Sequence, residues 1–154
     1  MKWIVITSPD FLSGEAFFID KIFRHGLDLL HLRKSGASVE DYRHLLSLIP
    51  ECWHSRIVLH EHFELTSEFR LHGIHLNRRC SHVPEGFKGS ISCSWHSLEE
   101  VVANKSLRNY LFLSPIFNSI SKVGYEAAFS DSTLQQAAQD AIIDSKVIAL
   151  GGVS

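Results

Sequence analysis

Cysteine is scarce in this chain of 154 residues. Its three thiols, Cys52, Cys80 and Cys93, are odd in number and lack CxxC spacing, which excludes a disulfide framework and a zinc knuckle and points to reduced thiols in a cytoplasmic protein. Long hydrophobic runs are also missing. No stretch reaches the roughly 18 apolar residues of a membrane span, and the amino-terminal MKWIVITSPDF is too short for a signal-peptide core and has no cleavage-like site. Neither charge sign dominates: 15 Lys and Arg stand against 17 Asp and Glu, for a net charge of -2 and a pI near 6.5. That balance advertises no nucleic-acid surface, although a local cluster of donors can still bind the phosphate of a small molecule. With 4 prolines and no low-complexity stretch, no linker divides the chain. The length is that of one domain, 1–154, able to remove roughly 70% of its unfolded surface from water.

What is present is an alternation of short apolar runs with helix-period segments. The spacing predicts strands over residues 2–8, 27–33, 56–60, 73–76, 90–95, 110–116 and 147–150. Between them, residues 14–25 carry Ala16, Phe17, Ile19, Ile22 and Phe23 at helical spacing before Gly26. A second helix is opened by Ser38, with Asp41 answering the cap and Tyr42, Leu45, Leu46 and Ile49 as its apolar stripe. A short helical stretch is predicted over 63–69. Ser97 and Glu100 form a capping box for another helix, and Ser132 is expected to cap one holding Leu134, Ala137, Ala138 and Ile142. Residues 77–88 show no period and read as a loop in place of a helix; 117–129 read as a long polar loop. Such alternation implies parallel strands with right-handed crossovers, in either a closed barrel or an open doubly wound sheet. Seven strands fall one short of the usual barrel, so a last βα unit is expected to be absent from this sequence.

Four of the ten histidines, His31, His60, His75 and His96, close consecutive predicted strands, where parallel α/β proteins keep their ligands. His31 and Arg33 share a strand face, with Lys34 in the departing loop, and the planar fork of Arg33 suits phosphate or carboxylate. His60, Glu61 and His62 follow the third strand; with His31 or His75 they approach a zinc-type ligand set. Ser94 and His96 share a face beside the capped helix, and an imidazole there can shuttle protons. In LSPIFNSISKVGY, Ser119, Ser121, Lys122 and Gly124 offer donors that could wrap an anion. Gly151 and Gly152 after VIAL allow backbone N–H groups to approach a phosphate. Each pattern has an ordinary alternative, a solvated turn or a histidine in a loop hydrogen bond.

Taken in order, WIVITS, LLHLRK, RIVLHEHFEL, LHGIHLN, SCSWHSLEE, YLFLSPIFNSISK and VIALGG resemble the thiamine phosphate synthase and TenI family over nearly the whole chain. The resemblance implies a (β/α)8 barrel of TIM type, here lacking its last βα unit, that binds phosphorylated thiazole and pyrimidine precursors of thiamine. It implies that Arg33 contacts pyrophosphate, while the family's lysine two positions later is replaced by Ser35 and only Lys34 stands nearby. His60 and Glu61 stand where the family has an Asn-Asp pair that binds pyrophosphate and magnesium. Cys80 falls near another magnesium carboxylate, although a thiol is a poor ligand for that ion. Ser94 and His96 match the S-x-H motif, Ser119 and Ser121 replace threonines with the hydroxyl intact, Lys122 matches the loop lysine, and Gly151 and Gly152 match the phosphate-binding turn after strand seven.

The resemblance leaves two reactions open. In the synthase reaction a thiazole nitrogen attacks a pyrimidine methylene as magnesium pyrophosphate leaves, with Mg2+ as cofactor. In the TenI-like tautomerase reaction a thiazole carboxylate phosphate is isomerised by moving a proton, with His96 as acid or base and no cofactor. A protein that binds a phosphorylated ligand or a partner without turnover is an alternative, as is a zinc hydrolase using His31, His60, His62 and His75. The expected partners are small phosphorylated ligands and, through strand edges exposed by the missing unit, a second copy of the chain; neither nucleic acid nor membrane is expected. All of this assumes that Arg33, His60, His96, Lys122 and the Gly151-Gly152 turn converge on one rim.

Overall fold

Residues 2–118 and 127–152 are described by the structure, a computed structural model. The chain divides into two units, Met1–Ser90 and Ile91–Ser154. The first runs β1 (Ile4–Ile6), α1 (Glu15–Arg24), β2 (Leu29–Leu32), α2 (Val39–Leu48), a 3-10 segment (Glu51–Arg56), β3 (Ile57–Leu59), α3 (Leu65–Glu68) and β4 (Gly73–Leu76). Its strands are parallel and lie in chain order, with Ile4 opposite Leu29, Leu30 opposite Ile57 and Val58 opposite Gly73. Every residue of β2, β3 and β4 is buried, the mark of a parallel sheet covered on both faces.

Helix α1 packs through Ile19 and Phe23, whereas Phe17, placed on the apolar stripe by spacing, is 67% exposed along with its neighbour Phe18. Gly26 ends the helix region at φ +97, a conformation that L side chains rarely adopt. The capping box of α2 is complete: Ser38 Oγ accepts from the Asp41 N–H, and the Asp41 carboxylate accepts from the Ser38 N–H. Tyr42, Leu45 and Leu46 form the buried stripe of α2. Pro50 precedes the 3-10 segment, which periodicity did not signal. There Trp53 stacks on Phe23 at 5.2 Å and donates its indole N–H to Asp20, and the Arg56 guanidinium lies over both rings. His54 Nε2 sits between the Leu46 and Ile49 carbonyl oxygens that close α2.

The second unit begins with β5 (Ser90–Trp95) at its boundary and continues through α4 (Leu98–Asn104), a 3-10 turn (Lys105–Leu107), β6 (Tyr110–Leu113), α5 (Asp131–Gln139) and β7 (Val147–Ala149). Its strands are again parallel and in chain order, with Ser94 opposite Phe112 and Leu113 opposite Ala149. The Ser97 and Glu100 capping box is present. Helix α5 corrects one expectation: its cap is Ser130, whose Oγ accepts from the Thr133 N–H, and Ser132 lies inside the first turn with its hydroxyl on that of Ser130. The helix also closes at Gln139, so Ile142 lies beyond it, after Ala141 at φ +55. No helix forms over residues 77–88, as expected. The described residues hold seven strands and no eighth, so βα alternation is observed and a closed (β/α)8 barrel is not. None of the described helices is long and apolar enough to cross a membrane.

Candidate functional site

Strand register brings three histidines of the first unit together. His31 lies opposite Val58, and Leu59 opposite Ile74. One step further along, His60 faces His75 on one side and Arg33 on the other. Laterally paired residues of parallel strands point to the same face about 4.8 Å apart, and the His60 and His75 rings are stacked at 4.3 Å. His31, two residues before Arg33, occupies the layer beneath, and its Nδ1 lies 3.0 Å from His60 Nε2. All three rings are buried, at 0%, 6% and 3% exposure for His31, His60 and His75. One nitrogen of each lies within 4.8 Å of the others. Burial pushes His75 down to about 4, with the Arg33 charge adding to the shift. His31 and His60 are also held well below the usual imidazole range, first by burial and then by their histidine neighbours. His62 does not join them: at φ +53 it turns away, with Nε2 2.8 Å from the Ala37 carbonyl and its ring against Tyr42.

Arg33 is half-buried, its backbone held by reciprocal hydrogen bonds with Thr7 Oγ1, and no carboxylate among the described residues pairs with its guanidinium. Lys34 is different. Its fully buried ammonium donates to Glu15 Oε1 at 2.6 Å and to the carbonyls of Ser8 and Asp10, so all three donors are in use and none remains for a phosphate. Glu61 accepts from the Gly36 N–H through one oxygen, and its other oxygen lies 3.4 Å from Arg79. Burial and then the Glu61 carboxylate push the nearby Cys80 thiol up.

In the second unit, one step past the Trp95 and Leu113 pair, His96 lies opposite Ser114. Its Nδ1 is 2.8 Å from the Ser114 carbonyl oxygen and its backbone N–H donates to Glu100 Oε2, the same oxygen that caps Ser97 N–H. The ring is otherwise exposed. Ser94 lies two residues earlier on the same strand face. Gly151 and Gly152, at φ +97 and +65, bring the end of β7 against the segment after β6. The Ile116 and Phe117 N–H groups donate to the Leu150 and Gly151 carbonyls, and a Cβ on Gly152 would lie 2.3 Å from the Asn118 carbonyl oxygen. Ser119, Ser121 and Lys122 lie outside the described residues.

A family model described as thiamine monophosphate synthase matches residues 4–154. The chain belongs to the thiamine monophosphate synthase family. A thiamine phosphate pyrophosphorylase from Bacteroides thetaiotaomicron is similar at 46% identity and a TM-score of 0.91, over 100% of this chain and 74% of its own. A second, from Pyrococcus furiosus, shares 17% identity and a TM-score of 0.71 over 99% of this chain and 76% of its own, and so shares the fold. No curated protein matches the chain.

Within this synthase family the resemblance stated above brings magnesium with it, and the residues present fit that ion poorly. Magnesium demands oxygen ligands. At the matching positions stand the His60 imidazole, the raised and therefore protonated Cys80 thiol, and a Glu61 carboxylate whose two oxygens already face Gly36 N–H and Arg79. Sequence reasoning missed Ser114 as the partner of His96 and Glu15 as the partner of Lys34. The first is legible as the residue one step past the paired ends of β5 and β6; the second carries no local signal.

Proposed function

We propose that this member of the synthase family is a TenI-like isomerase that binds a phosphorylated thiazole carboxylate and moves one proton through His96. The anchoring of His96 carries the reading. With Nδ1–H donating to the Ser114 carbonyl, Nε2 bears the lone pair and faces away from the protein, the tautomer a general base needs. The imidazolium formed when Nε2 takes a proton keeps its bond to that carbonyl, and the proton returns to another position of the same ligand, so nothing is consumed or released. Ser94 would orient the ring system. The turn at Gly151 and Gly152, with Ser119, Ser121 and Lys122, would meet the phosphate. Such a reaction needs no metal, in keeping with the poor fit to magnesium.

A second reading, the synthase reaction, is favoured by the description of the 46% identical solved relative as a pyrophosphorylase. Two assays of the purified chain separate them. Thiazole carboxylate phosphate alone, followed by proton NMR, is expected to isomerise, and His96→Gln to slow this by about 10^2-fold or more. Thiamine phosphate and pyrophosphate from the pyrimidine pyrophosphate plus thiazole phosphate mixture, with no isomerisation in the first, would put the synthase reading in its place.

A further inference from the structure

We propose that His31, His60 and His75 form a three-imidazole binding site for a divalent first-row transition cation of the zinc and cobalt class. The proposal is independent of the His96 reading, since all three ligands belong to the first unit. Three adjacent parallel strands each contribute one imidazole to a single face, a placement set by backbone register rather than by flexible loops. Imidazole nitrogen is a borderline donor that suits zinc, cobalt, nickel and copper and does not suit magnesium. At this end of the unit the His60 imidazole and the Cys80 thiol stand where the family resemblance implies oxygen ligands, while Glu61 keeps a carboxylate.

Distances allow it. A tetrahedral ion at about 2.1 Å from each nitrogen separates its ligand atoms by about 3.4 Å. His31 Nδ1 and His60 Nε2 are already 3.0 Å apart, and the ligand nitrogens of the trio all lie within 4.8 Å of one another, at most about 1.4 Å beyond that spacing. His60 lies level with His75 and beside half-buried Arg33, with His31 in the layer beneath. The Arg33 guanidinium opposes added positive charge, so an anionic fourth ligand, hydroxide or phosphate, completes the sphere.

The test uses the whole chain after dialysis against a chelator. Cobalt(II), titrated as an optical probe, is expected to bind at one equivalent with a visible band of nitrogen ligation, and zinc to displace it. Affinity should fall at least tenfold in His31→Gln and in His60→Asn and stay unchanged in His44→Gln and His82→Gln, which alter exposed residues. Circular dichroism shows whether each variant is folded. Should the core variants unfold, imidazole nitrogen NMR of the unaltered protein decides: zinc is expected to move three of the ten histidine spin systems, with a matching rise in Tm. Absence of saturable binding at one equivalent, equal loss in the surface variants, or buried imidazole signals that zinc leaves in place would each overturn the site.

Discussion

A buried imidazole held near 4 makes stability depend on pH. The unfolded chain takes up a proton on His75 near pH 6.5 while the folded chain refuses it until about 4, so between those values the unfolded state binds more protons and stability falls as the solution is acidified. His75 alone contributes up to about 3 kcal/mol of this, and His31 and His60 act in the same direction. Urea unfolding is expected to show a clear loss between pH 7 and 5, above the range of ordinary carboxylates; a flat profile would contradict neutral buried rings. The Lys34 and Glu15 pair sets a second expectation. Lys34→Met strands a buried carboxylate and should cost about 3–5 kcal/mol by urea unfolding, with Glu15→Gln in the same chain recovering part of it. At this scale the placement of His31, His60 and His75 at strand ends was legible because strand ends are legible. Lys34 was not, since its fate is decided by a glutamate 19 residues earlier that arrives only when α1 packs beside β2.

Two elements hold His96, and each can be weakened alone. Ser97→Ala removes the side-chain cap of α4 and should cost about 1 kcal/mol in chemical unfolding, while loosening Glu100, which also accepts the His96 N–H. Gly152→Ala places a Cβ against the Asn118 carbonyl at a positive φ, and is expected to destabilise the chain by about 1 kcal/mol or more. A thermal scan that leaves Tm unmoved would show that the β6 and β7 ends are not fixed by this approach. Strand and helix positions were readable from period and from Ser-x-x-Glu or Ser-x-x-Asp boxes. Boundaries were less so. In Ser130-Asp131-Ser132-Thr133 three hydroxyls compete for one cap, and the geometry of the first free N–H groups selects Ser130. The 3-10 segment after Pro50 has no hydrophobic period of its own and is set by the packing of Trp53 on Phe23.

For the molecule as a whole, near-balanced charge combines with exposed Phe17, Phe18 and Leu12. Light scattering of concentrated protein is expected to peak near the pI of about 6.5 and fall toward pH 8, where net negative charge keeps copies apart. The βα order was open to sequence reasoning because apolar runs and helical segments alternate along the chain except over 77–88, but closure was not: it depends on a partner for the outermost strands, which no local pattern encodes. The aromatic packing carries one more consequence. Of the three tryptophans, Trp3 and Trp53 belong to the first unit and Trp95 alone to the second. Replacing Trp3 and Trp53 with phenylalanine leaves a single emitter, and overlaying its fluorescence melt on a backbone-reporting melt reveals whether the halves come apart in one cooperative event or in succession.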